Sequence, residues 1–300
     1  MPIGIIDIGS NTIRLAVYEV VAGKINLLLK KKHLVGLAAH IENSRLTPAG
    51  IDMAADAVSE YRKLLRLLGI GSDIAYATGA LRNAANSQAA VAAIEKKSGV
   101  KIRILSGEEE ATLAFVGLMH DVEVDTGLVV DIGGASTELI YFKQGKIEAK
   151  TSLPIGSLAM YKEYVGNYLP TAAECKTIEN YAAVKIREAN FVAPPCDRLC
   201  GIGGTFKSAL ALVNAYFKRS ATNKLSSWED IDALRRLYCM DGKHSAADML
   251  LLMQAVPDRL KVLLPGLSVA AATVRAFGCR EILYSDSGVR EGYIRDTMRL

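Results

Sequence analysis

The chain contains two copies of a glycine-rich turn, and each copy begins with an aspartate after a short apolar run. The first reads Asp-Ile-Gly-Ser-Asn-Thr-Ile-Arg-Leu over residues 7–15, and the second reads Asp-Ile-Gly-Gly-Ala-Ser-Thr-Glu-Leu over residues 131–139. Each is followed by a β-rich stretch and by a second turn, at residues 22–25 and 144–147 respectively. Self-similarity of this kind indicates two copies of one folding unit.

The composition of both turns suits phosphate binding. A tight turn of small residues lets backbone N–H groups approach an anion, and hydroxyl and amide side chains add further donors. The predicted substrate contacts are Gly9, Ser10, Asn11 and Thr12 in the first turn and Gly133, Gly134, Ala135 and Ser136 in the second. One Asp-x-Gly turn is usually only a hairpin, whereas two copies after apolar strands favour a phosphate site.

The leading aspartates are poorly suited to touch phosphate, because like charges repel. Asp7 and Asp131 are therefore predicted to bind, directly or through water, the Mg²⁺ ion that neutralises phosphate. Seven residues later the copies differ, since the first has Arg14 where the second has Glu138. Side chains alternate along a strand, so this position lies on a fixed face of each hairpin. Glu138 can join Asp131 in holding a metal ion, and Arg14 cannot.

Other polar segments follow predicted strands. Gly204 and Thr205 open a helix after a strand, and a glycine-flanked helix N-terminus is suited to anions. Residues 285–292 form a similar turn, although strand-to-helix connections need glycine in any case. The acidic run at residues 108–110 begins a helix, where acidic side chains often only complement the helix dipole. Arg82 is either a surface residue or a planar donor to phosphate oxygens.

The first half is predicted to fold as an α/β unit with three leading strands. The predicted elements are strands at residues 3–8, 12–20 and 25–33, a helix from Thr47-Pro48 to Gly69, a strand at 73–78, a helix ending near Gly99, a strand at 101–105 and a helix at 108–120. The proline after an N-cap threonine and the glycine stops set the helix limits. The order β-β-β-α-β-α-β-α is that of a ribonuclease H-like unit.

The second half repeats this order from Gly127. Its predicted elements are two hairpin strands around residues 133–135, a strand at 146–153, helices from 155 and from Thr171, a strand at 198–202 that leads into a helix at 203, helices from Ser227 and at 265–277, a strand at 281–285 and a C-terminal helix. Thr171 and Glu174 form a predicted capping box. The expected domains are residues 1–124 and 125–288, and helix 289–300 can pack back on the first.

Composition narrows the class of protein. A net charge of +4, without a basic tail, argues against nucleic acid as a partner. No apolar stretch approaches the ~20 residues that span a bilayer, and no secretion signal is recognised, so a cytoplasmic protein is expected. The five cysteines are an odd number without a C-x-x-C pair, which favours reduced thiols over disulfides or zinc.

Six motifs in order resemble those of the exopolyphosphatase/guanosine pentaphosphate phosphatase family, within the actin-like superfamily. The motifs are the two hairpins, Thr78-x-Ala-x-Arg82, Ser106-Gly-x-Glu-Glu-Ala111, Gly203-Gly-Thr205 and Ser285-Asp-x-Gly-x-x-Glu-Gly292. The resemblance covers the whole chain and is to the short two-domain form, without a C-terminal HD-phosphohydrolase domain. It therefore predicts action on shorter chains and lower processivity. Ala135 departs from the pattern, because the family usually has glycine there.

The resemblance implies two ribonuclease H-like (actin-like) domains, with mixed five-stranded sheets flanked by helices and a cleft between them. It implies that Glu110 orients the attacking water, that Asp131 and Glu138 bind Mg²⁺ or another divalent ion, and that Arg82 contacts phosphate. K⁺ is also compatible with such a site, and so is a homodimer. Phosphoryl transfer depends mainly on positioning and charge neutralisation, which these groups would supply.

Four functions stay in competition at this level. The leading prediction is an exopolyphosphatase that releases terminal phosphate from inorganic polyphosphate, and the near alternative is hydrolysis of the γ-phosphate of guanosine pentaphosphate. A small-molecule kinase of the same superfamily is disfavoured by the Glu-Glu-Ala motif and by the lack of an obvious Asp-Gly-Asp base. A non-catalytic sensor is disfavoured because every candidate catalytic group is present.

Overall fold

The computed structural model describes residues 2–71, 73–239 and 244–298. The chain divides into two compact units, the first made of Met1–Glu110 with Ile294–Leu300 and the second of Ala111–Tyr293. The helices Gly107–Asp121 and Val289–Met298 each run across a division point. The domain limits predicted from the sequence, with a boundary after residue 124, stay a prediction.

The first unit is built on a five-stranded mixed sheet with the strand order β3-β2-β1-β6-β7. Its strands are β1 (Pro2–Ile8), β2 (Thr12–Val21), β3 (Lys24–Leu34), β6 (Asp73–Ala77) and β7 (Ile102–Ile104), with the short strands β4 (Ile41–Glu42) and β5 (Arg45–Leu46) paired separately. β1, β2 and β3 form antiparallel hairpins, whereas β1, β6 and β7 run parallel. The carboxyl ends of these three parallel strands therefore meet at one edge of the sheet.

The helices of the first unit begin and end largely where the sequence predicts. They are a 3₁₀ helix (Leu37–His40), α1 (Pro48–Leu67), α2 (Gly79–Asn83), α3 (Ser87–Ser98) and the start of α4 (Gly107–Asp121). Thr47 caps α1 by accepting a hydrogen bond from the Gly50 amide at 3.2 Å, and Gly99 ends α3 at a φ of 67°. The short helix α2 was not predicted.

The second unit repeats the same five-strand order and adds one strand, giving β10-β9-β8-β11-β13-β12. Its strands are β8 (Thr126–Ile132), β9 (Thr137–Lys143), β10 (Lys146–Leu153), β11 (Arg198–Ile202), β12 (Leu225–Ser227) and β13 (Glu281–Tyr284). The predicted five-stranded sheet is thus extended to six. The three residues of β12 lack a strand-like alternation in sequence, and they pair antiparallel with the outer strand β13.

The residues of α4 from Ala111 onward belong to the second unit, and seven further helices follow in the described part of the chain, of which α11 has its residues from Ile294 assigned to the first unit. They are α5 (Ser157–Tyr164), α6 (Ala172–Glu188), α7 (Gly203–Tyr216), α8 (Trp228–Tyr238), α9 (Ala246–Ala255), α10 (Leu263–Phe277) and α11 (Val289–Met298), with a 3₁₀ turn at Pro257–Arg259. The predicted capping box of Thr171 and Glu174 is confirmed, and Ser227 caps α8. Helix α9 was not predicted.

Both faces of the second sheet are covered. Leu128 and Val130 of β8 join one apolar core, and Val129 between them joins another. Alternate side chains of a strand point to opposite faces, so a run of consecutive buried residues fits a sheet with helices on both sides. This is the doubly covered architecture that the sequence predicts.

The second turns of the repeat also match in conformation. Ala22 and Gly23 have φ values of 50° and 75°, and Gln144 and Gly145 have 51° and 68°. Two consecutive left-handed residues define the type I′ turn that best fits the twist of a two-residue hairpin. The internal repeat therefore extends beyond the phosphate-loop sequences to the connection that follows them.

The cysteines require a correction. Cys175 and Cys239 form a disulfide with a Cα–Cα distance of 6.6 Å, although the sequence predicts only reduced thiols. The two residues are 64 positions apart and come together because α6 and α8 both pack against α10, which Cys spacing does not reveal. Cys196, Cys200 and Cys279 are free and buried. Burial raises the pKa of the Cys200 and Cys279 thiols to about 12, which leaves them unreactive.

Within the described residues, no helix combines the length and the apolar character needed to cross a bilayer.

Candidate functional site

In the first unit, hydrogen bonds to the backbone carbonyls of the turn between β1 and β2 hold that turn in place. The amide of Gly36 donates to the Asn11 carbonyl and the amide of Ala38 donates to the Ser10 carbonyl, each at 2.9 Å. The Gly9 amide closes the turn on the Thr12 carbonyl at 3.1 Å. These hydrogen bonds fix the conformation of the turn on its carbonyl side, which is compatible with an anion-binding loop.

Ser10 links this turn to α2. Its hydroxyl oxygen accepts a hydrogen bond from the Ala80 amide at 3.0 Å, while Thr78, the N-cap residue of α2, makes no side-chain cap. Ser10 is nearly fully buried, as is Thr12. The structure therefore places Ser10 and Thr12 in the support of the turn. Asn11 and Gly9 are more accessible, but the Gly9 amide is bonded to the Thr12 carbonyl, so Asn11 is the better placed of the predicted contacts.

Arg82, the fourth residue of α2, forms an ion pair with Glu110 in α4. The distance from Arg82 Nη1 to Glu110 Oε2 is 2.5 Å, and their side chains are only 15% and 11% exposed. The same Nη1 group donates to the Leu105 carbonyl at 3.2 Å. The two residues predicted to act on the phosphate and on the attacking water are thus in contact, and the guanidinium orients the carboxylate.

The preceding residue, Glu109, has a different role. Its carboxylate accepts from the Ser106 amide at 2.8 Å, and the Ser106 hydroxyl accepts from the Glu109 amide at 3.1 Å. The hydrogen bond from the Ser106 backbone is the main reason why the pKa of Glu109 lies below its usual value, and Arg103 adds to it. The ordinary explanation of the acidic run, capping of the helix start, therefore holds for Glu109 and not for Glu110.

Asp7 lies opposite Arg14 in the β1–β2 register, and the Arg14 Nη1 to Asp7 Oδ2 distance is 3.5 Å. A cation already stands beside this carboxylate. The assignment of Asp7 to the metal site stays a prediction, and Asp131 with Glu138 is the pair that has no arginine at the equivalent position.

In the second unit, the turn between β8 and β9 is anchored in the same way. The Gly133 carbonyl accepts from the Ser157 amide, and the Gly134 carbonyl accepts from the amides of Leu158 and Ala159, at 2.8–2.9 Å. The N-terminus of α5 thus holds the turn, as residues 36–38 do in the first unit. A Cβ atom on Gly156 would overlap the Gly134–Ala135 backbone, so glycine is required at that contact.

Ala135 fits the turn without strain. It is absent from the described non-glycine residues with positive φ, so a methyl group needs no left-handed conformation there. The departure from the family's glycine therefore leaves the backbone of the loop intact. Ser136, by contrast, is nearly fully buried, and the Gly133 amide donates to the Ser136 carbonyl at 2.9 Å, which leaves Gly134 and Ala135 as the better placed contacts in this turn.

Asp131 and Glu138 are direct partners across the β8–β9 hairpin. Glu138 is 1% exposed and accepts a hydrogen bond from the Ser152 hydroxyl at 2.7 Å. Among the described residues, no group of three or more His, Cys, Asp or Glu side chains could hold a metal ion. Two adjacent carboxylates nevertheless fit Mg²⁺, which is usually bound by one or two carboxylates together with water and substrate phosphate.

The start of α7 lies against Asp131, one member of this pair. Gly203 has a φ of 77°, and a Cβ atom on it would overlap the Asp131 carboxylate. A Cβ atom on Gly204 would overlap the guanidinium of Arg259. Arg259 therefore stands at the same helix N-terminus, although no motif in the sequence marks it. The sequence alone does not identify Arg259 as a site residue, since it lies in the separate 3₁₀ turn after α9.

Thr205 does not fit its predicted role as a substrate contact. It is fully buried, and its hydroxyl donates to the Ile132 carbonyl at 2.9 Å. Its methyl group lies in the space beside Gly266. Thr205 therefore ties α7 to the end of β8, and Gly204 is the contact that stays accessible.

The last glycine-rich turn, after β13, is bound to the end of α4. Asp121 accepts hydrogen bonds from the Ser285 hydroxyl at 2.9 Å and from the Asp286 amide at 3.0 Å, and Lys224 lies 3.1 Å away. Burial by itself raises the pKa of Asp121, but these hydrogen bonds and the Lys224 charge hold it below its usual value. This turn therefore has a structural explanation.

Each unit thus places its glycine-rich turns and its candidate acid at the carboxyl edge of its parallel strands, which is where open α/β sheets bind ligands. The arrangement defines a class of protein: two ribonuclease H-like sheets of equal strand order, each with an Asp-led glycine hairpin. The sequence profile described as the Ppx/GppA phosphatase family matches residues 16–300. The chain belongs to this family, and the prediction of a hydrolase acting on phosphoanhydride bonds is confirmed.

Individual relatives agree with this assignment. Exopolyphosphatase 1 of Mycobacterium tuberculosis is 26% identical over 98% of this chain and 87% of its own length. A guanosine-5'-triphosphate,3'-diphosphate pyrophosphatase of Photobacterium profundum is 27% identical over 98% of this chain, which spans 58% of that protein.

Solved structures show the same architecture. The Aquifex aeolicus PPX-GPPA enzyme superposes with a TM-score of 0.78 at 25% identity, and 99% of each chain is covered. An exopolyphosphatase from Cytophaga hutchinsonii superposes with a TM-score of 0.86 at 22% identity, over 100% of this chain and 98% of the other. The latter supports the fold alone.

Proposed function

We propose that this protein is an exopolyphosphatase that removes terminal orthophosphate from inorganic polyphosphate. The observation that carries the proposal is the Glu110 carboxylate, which is ionically paired with Arg82 while its neighbour Glu109 serves the helix end. In a phosphatase the carboxylate accepts a hydrogen bond from the attacking water, whereas in a kinase it accepts one from the substrate hydroxyl. The supporting relatives are the named exopolyphosphatases.

Glu110 would hold the attacking water. Its Oε2 is bound by Arg82 Nη1, and a carboxylate oxygen has further lone pairs that can accept from water. Because Arg82 fixes the carboxylate, the water would be held in one direction, in line with the terminal phosphoanhydride bond. Positioning of this kind, and not strong basicity, is what a loose phosphoryl-transfer transition state requires.

Asp131 and Glu138 would bind the metal. Mg²⁺ would neutralise the charge of bridging and terminal phosphate oxygens. Ser152 would keep the Glu138 carboxylate oriented by donating to Oε1. Gly203 leaves the space that the Asp131 carboxylate occupies, so both carboxylates are held before any substrate binds.

The remaining hydrogen-bond donors to the substrate phosphate would be backbone amides and an arginine side chain. The Gly9 and Gly133 amides close their own turns on the Thr12 and Ser136 carbonyls, so the phosphate oxygens would be met by the amides that follow them in each turn and by those of the α7 N-terminus. Arg259 lies beside Gly204 at that N-terminus, and a guanidinium can donate two parallel hydrogen bonds to one phosphate group. We include Arg259 among the residues that bind the substrate phosphate.

Hydrolysis of guanosine pentaphosphate is the second candidate, because a relative with that name in the same family is equally similar in sequence. Phosphate release should be measured without any acceptor on both substrates, at equal concentrations of terminal phosphate. A higher kcat/KM on polyphosphate supports the proposal, and a higher value on guanosine pentaphosphate supports the second candidate. Release that requires an added hydroxyl acceptor would contradict both and favour a kinase.

A further inference from the structure

The second unit contains a surface pocket of about 300 Å³ whose walls are α6, α8 and α10. Four cationic side chains line it, namely Lys176, Arg235, Arg236 and Arg275. None of the residues proposed to bind substrate or metal belongs to it. A volume of this size is at the lower end for small-molecule sites.

Two buried acids hold these cations together. Glu179 is 3% exposed and contacts Arg275, Lys176 at 3.3 Å and Arg235 at 3.8 Å. Asp232 contacts Arg235 at 2.7 Å and also Arg236. Burial by itself raises the pKa of Asp232, but the two guanidinium groups hold it below its usual value.

The cluster has more positive than negative charge. Among the described residues, two carboxylates contact the four cations, and Glu229 acts on Arg236 from a longer distance, so the cluster keeps more positive than negative charge. The side chains of Lys176, Arg236 and Arg275 are 58%, 74% and 65% exposed. Arg275 uses one Nη group on Glu179, and a guanidinium has five N–H donors. The N–H groups of Arg275 that do not bind Glu179 can donate hydrogen bonds to a phosphate group.

The Cys175–Cys239 disulfide also lines this pocket and joins α6 to α8. Lys176 and Glu179 follow Cys175 on α6, and Arg235 and Arg236 precede Cys239 on α8. The disulfide therefore fixes the separation of the two walls that provide the cations. A site whose donors are held in place before binding loses less free energy to ordering.

We infer that this pocket is a second anion site, which binds a small phosphate oxyanion with two or more negative charges. The inference goes beyond the proposed hydrolysis and does not depend on it. Pyrophosphate is a suitable probe, since its two phosphate groups can each meet one guanidinium fork. Whether the natural ligand is a free short phosphate or the end of a longer chain, the recognised chemistry is the same.

The test is protection of individual arginines against phenylglyoxal in the full-length protein, measured by peptide mass spectrometry. We expect pyrophosphate to slow the labelling of Arg236 and Arg275 in a saturable manner. Arg280 is a matched reference, because it is 84% exposed in the same unit and lies outside the pocket. Unchanged labelling of Arg236 and Arg275, or equal slowing at Arg280, would overturn the inference.

Calorimetry provides the second measurement. Arg275→Gln and Arg236→Gln should each weaken one class of pyrophosphate sites by about tenfold, and Arg280→Gln should not. Both pocket variants should release phosphate from substrate at the wild-type rate. Because Glu179 keeps Lys176 and Arg235 after the first substitution, the fold is expected to survive, and circular dichroism checks this. Identical binding by the three variants would contradict the inference, whatever their hydrolytic activity.

Discussion

Reduction of the Cys175–Cys239 disulfide should destabilise the second unit substantially. The cross-link closes a loop of 64 residues, and the chain-entropy relation gives about 4 kcal/mol for a loop of that length at 25 °C. At roughly 2–4 °C for each kcal/mol in a domain of this size, the melting temperature of the unit should fall by about 8–16 °C. Comparing oxidised and reduced protein changes no side-chain volume, so the cross-link is tested alone.

The assay is urea denaturation followed by tryptophan fluorescence, with and without a phosphine reductant. The single tryptophan, Trp228, begins α8 in the second unit and is half-buried, so its emission reports that unit. We expect a lower urea midpoint in the reductant. The Cys175→Ala/Cys239→Ala variant is the control and should not respond to reductant. An unchanged midpoint for the wild type, or two intact thiols at these positions by mass spectrometry, would refute the reasoning.

Three further predictions follow from the site. Glu138→Gln should raise the Mg²⁺ concentration needed for half-maximal phosphate release by about tenfold or more. Arg14→Gln, at the equivalent position of the first hairpin, should leave this concentration unchanged. Equal effects of the two substitutions would contradict the metal assignment. Gly203→Ala should abolish most activity, because its Cβ overlaps Asp131. Gly145→Ala is also at positive φ, but its Cβ would meet only Met119 Cε at 3.9 Å, so it should cost about 1–2 kcal/mol of stability only. Because the pKa of Asp121 is lowered in the folded protein, the ionised carboxylate stabilises the fold fully above its ordinary pKa of 3.8, and this stabilisation is lost as the pH falls through the folded pKa. Asp121→Asn should therefore melt at a lower temperature than the wild type at pH 7, and the difference should shrink below pH 4. A difference that stays constant with pH would contradict this.

Much of the fold follows from local sequence signals. Thr47-Pro48, Gly99 and the Thr171–Glu174 capping box set helix ends through interactions within a few residues, so the pattern alone predicts them. The likeness of the two sheets follows from the repeat, because both halves carry the same element order along the chain. The elements that were missed are short or weakly patterned: α2 begins with a cap from Ser10, 70 residues earlier, and β12 exists because it pairs with β13.

The site was predicted less completely, for the same physical reason. Motifs identify the turns, but burial decides which members of a motif are accessible. Thr205 and Ser136 belong to phosphate motifs and are nevertheless buried, while Arg259 has no motif and lies beside Gly204. The Cys175–Cys239 disulfide likewise depends on helix packing and not on cysteine spacing. Long-range packing of this kind leaves no local trace in the sequence.

The most direct test of the account compares Glu110→Gln with Glu109→Gln. Polyphosphate binding and phosphate release should be measured on both variants under the same conditions. We expect Glu110→Gln to bind polyphosphate with nearly wild-type affinity and to lose at least about 100-fold in kcat, while Glu109→Gln, which alters only the helix cap, keeps most of its turnover. Near-normal turnover by Glu110→Gln, or an equal loss in both variants, would contradict the central claim that Glu110 orients the attacking water.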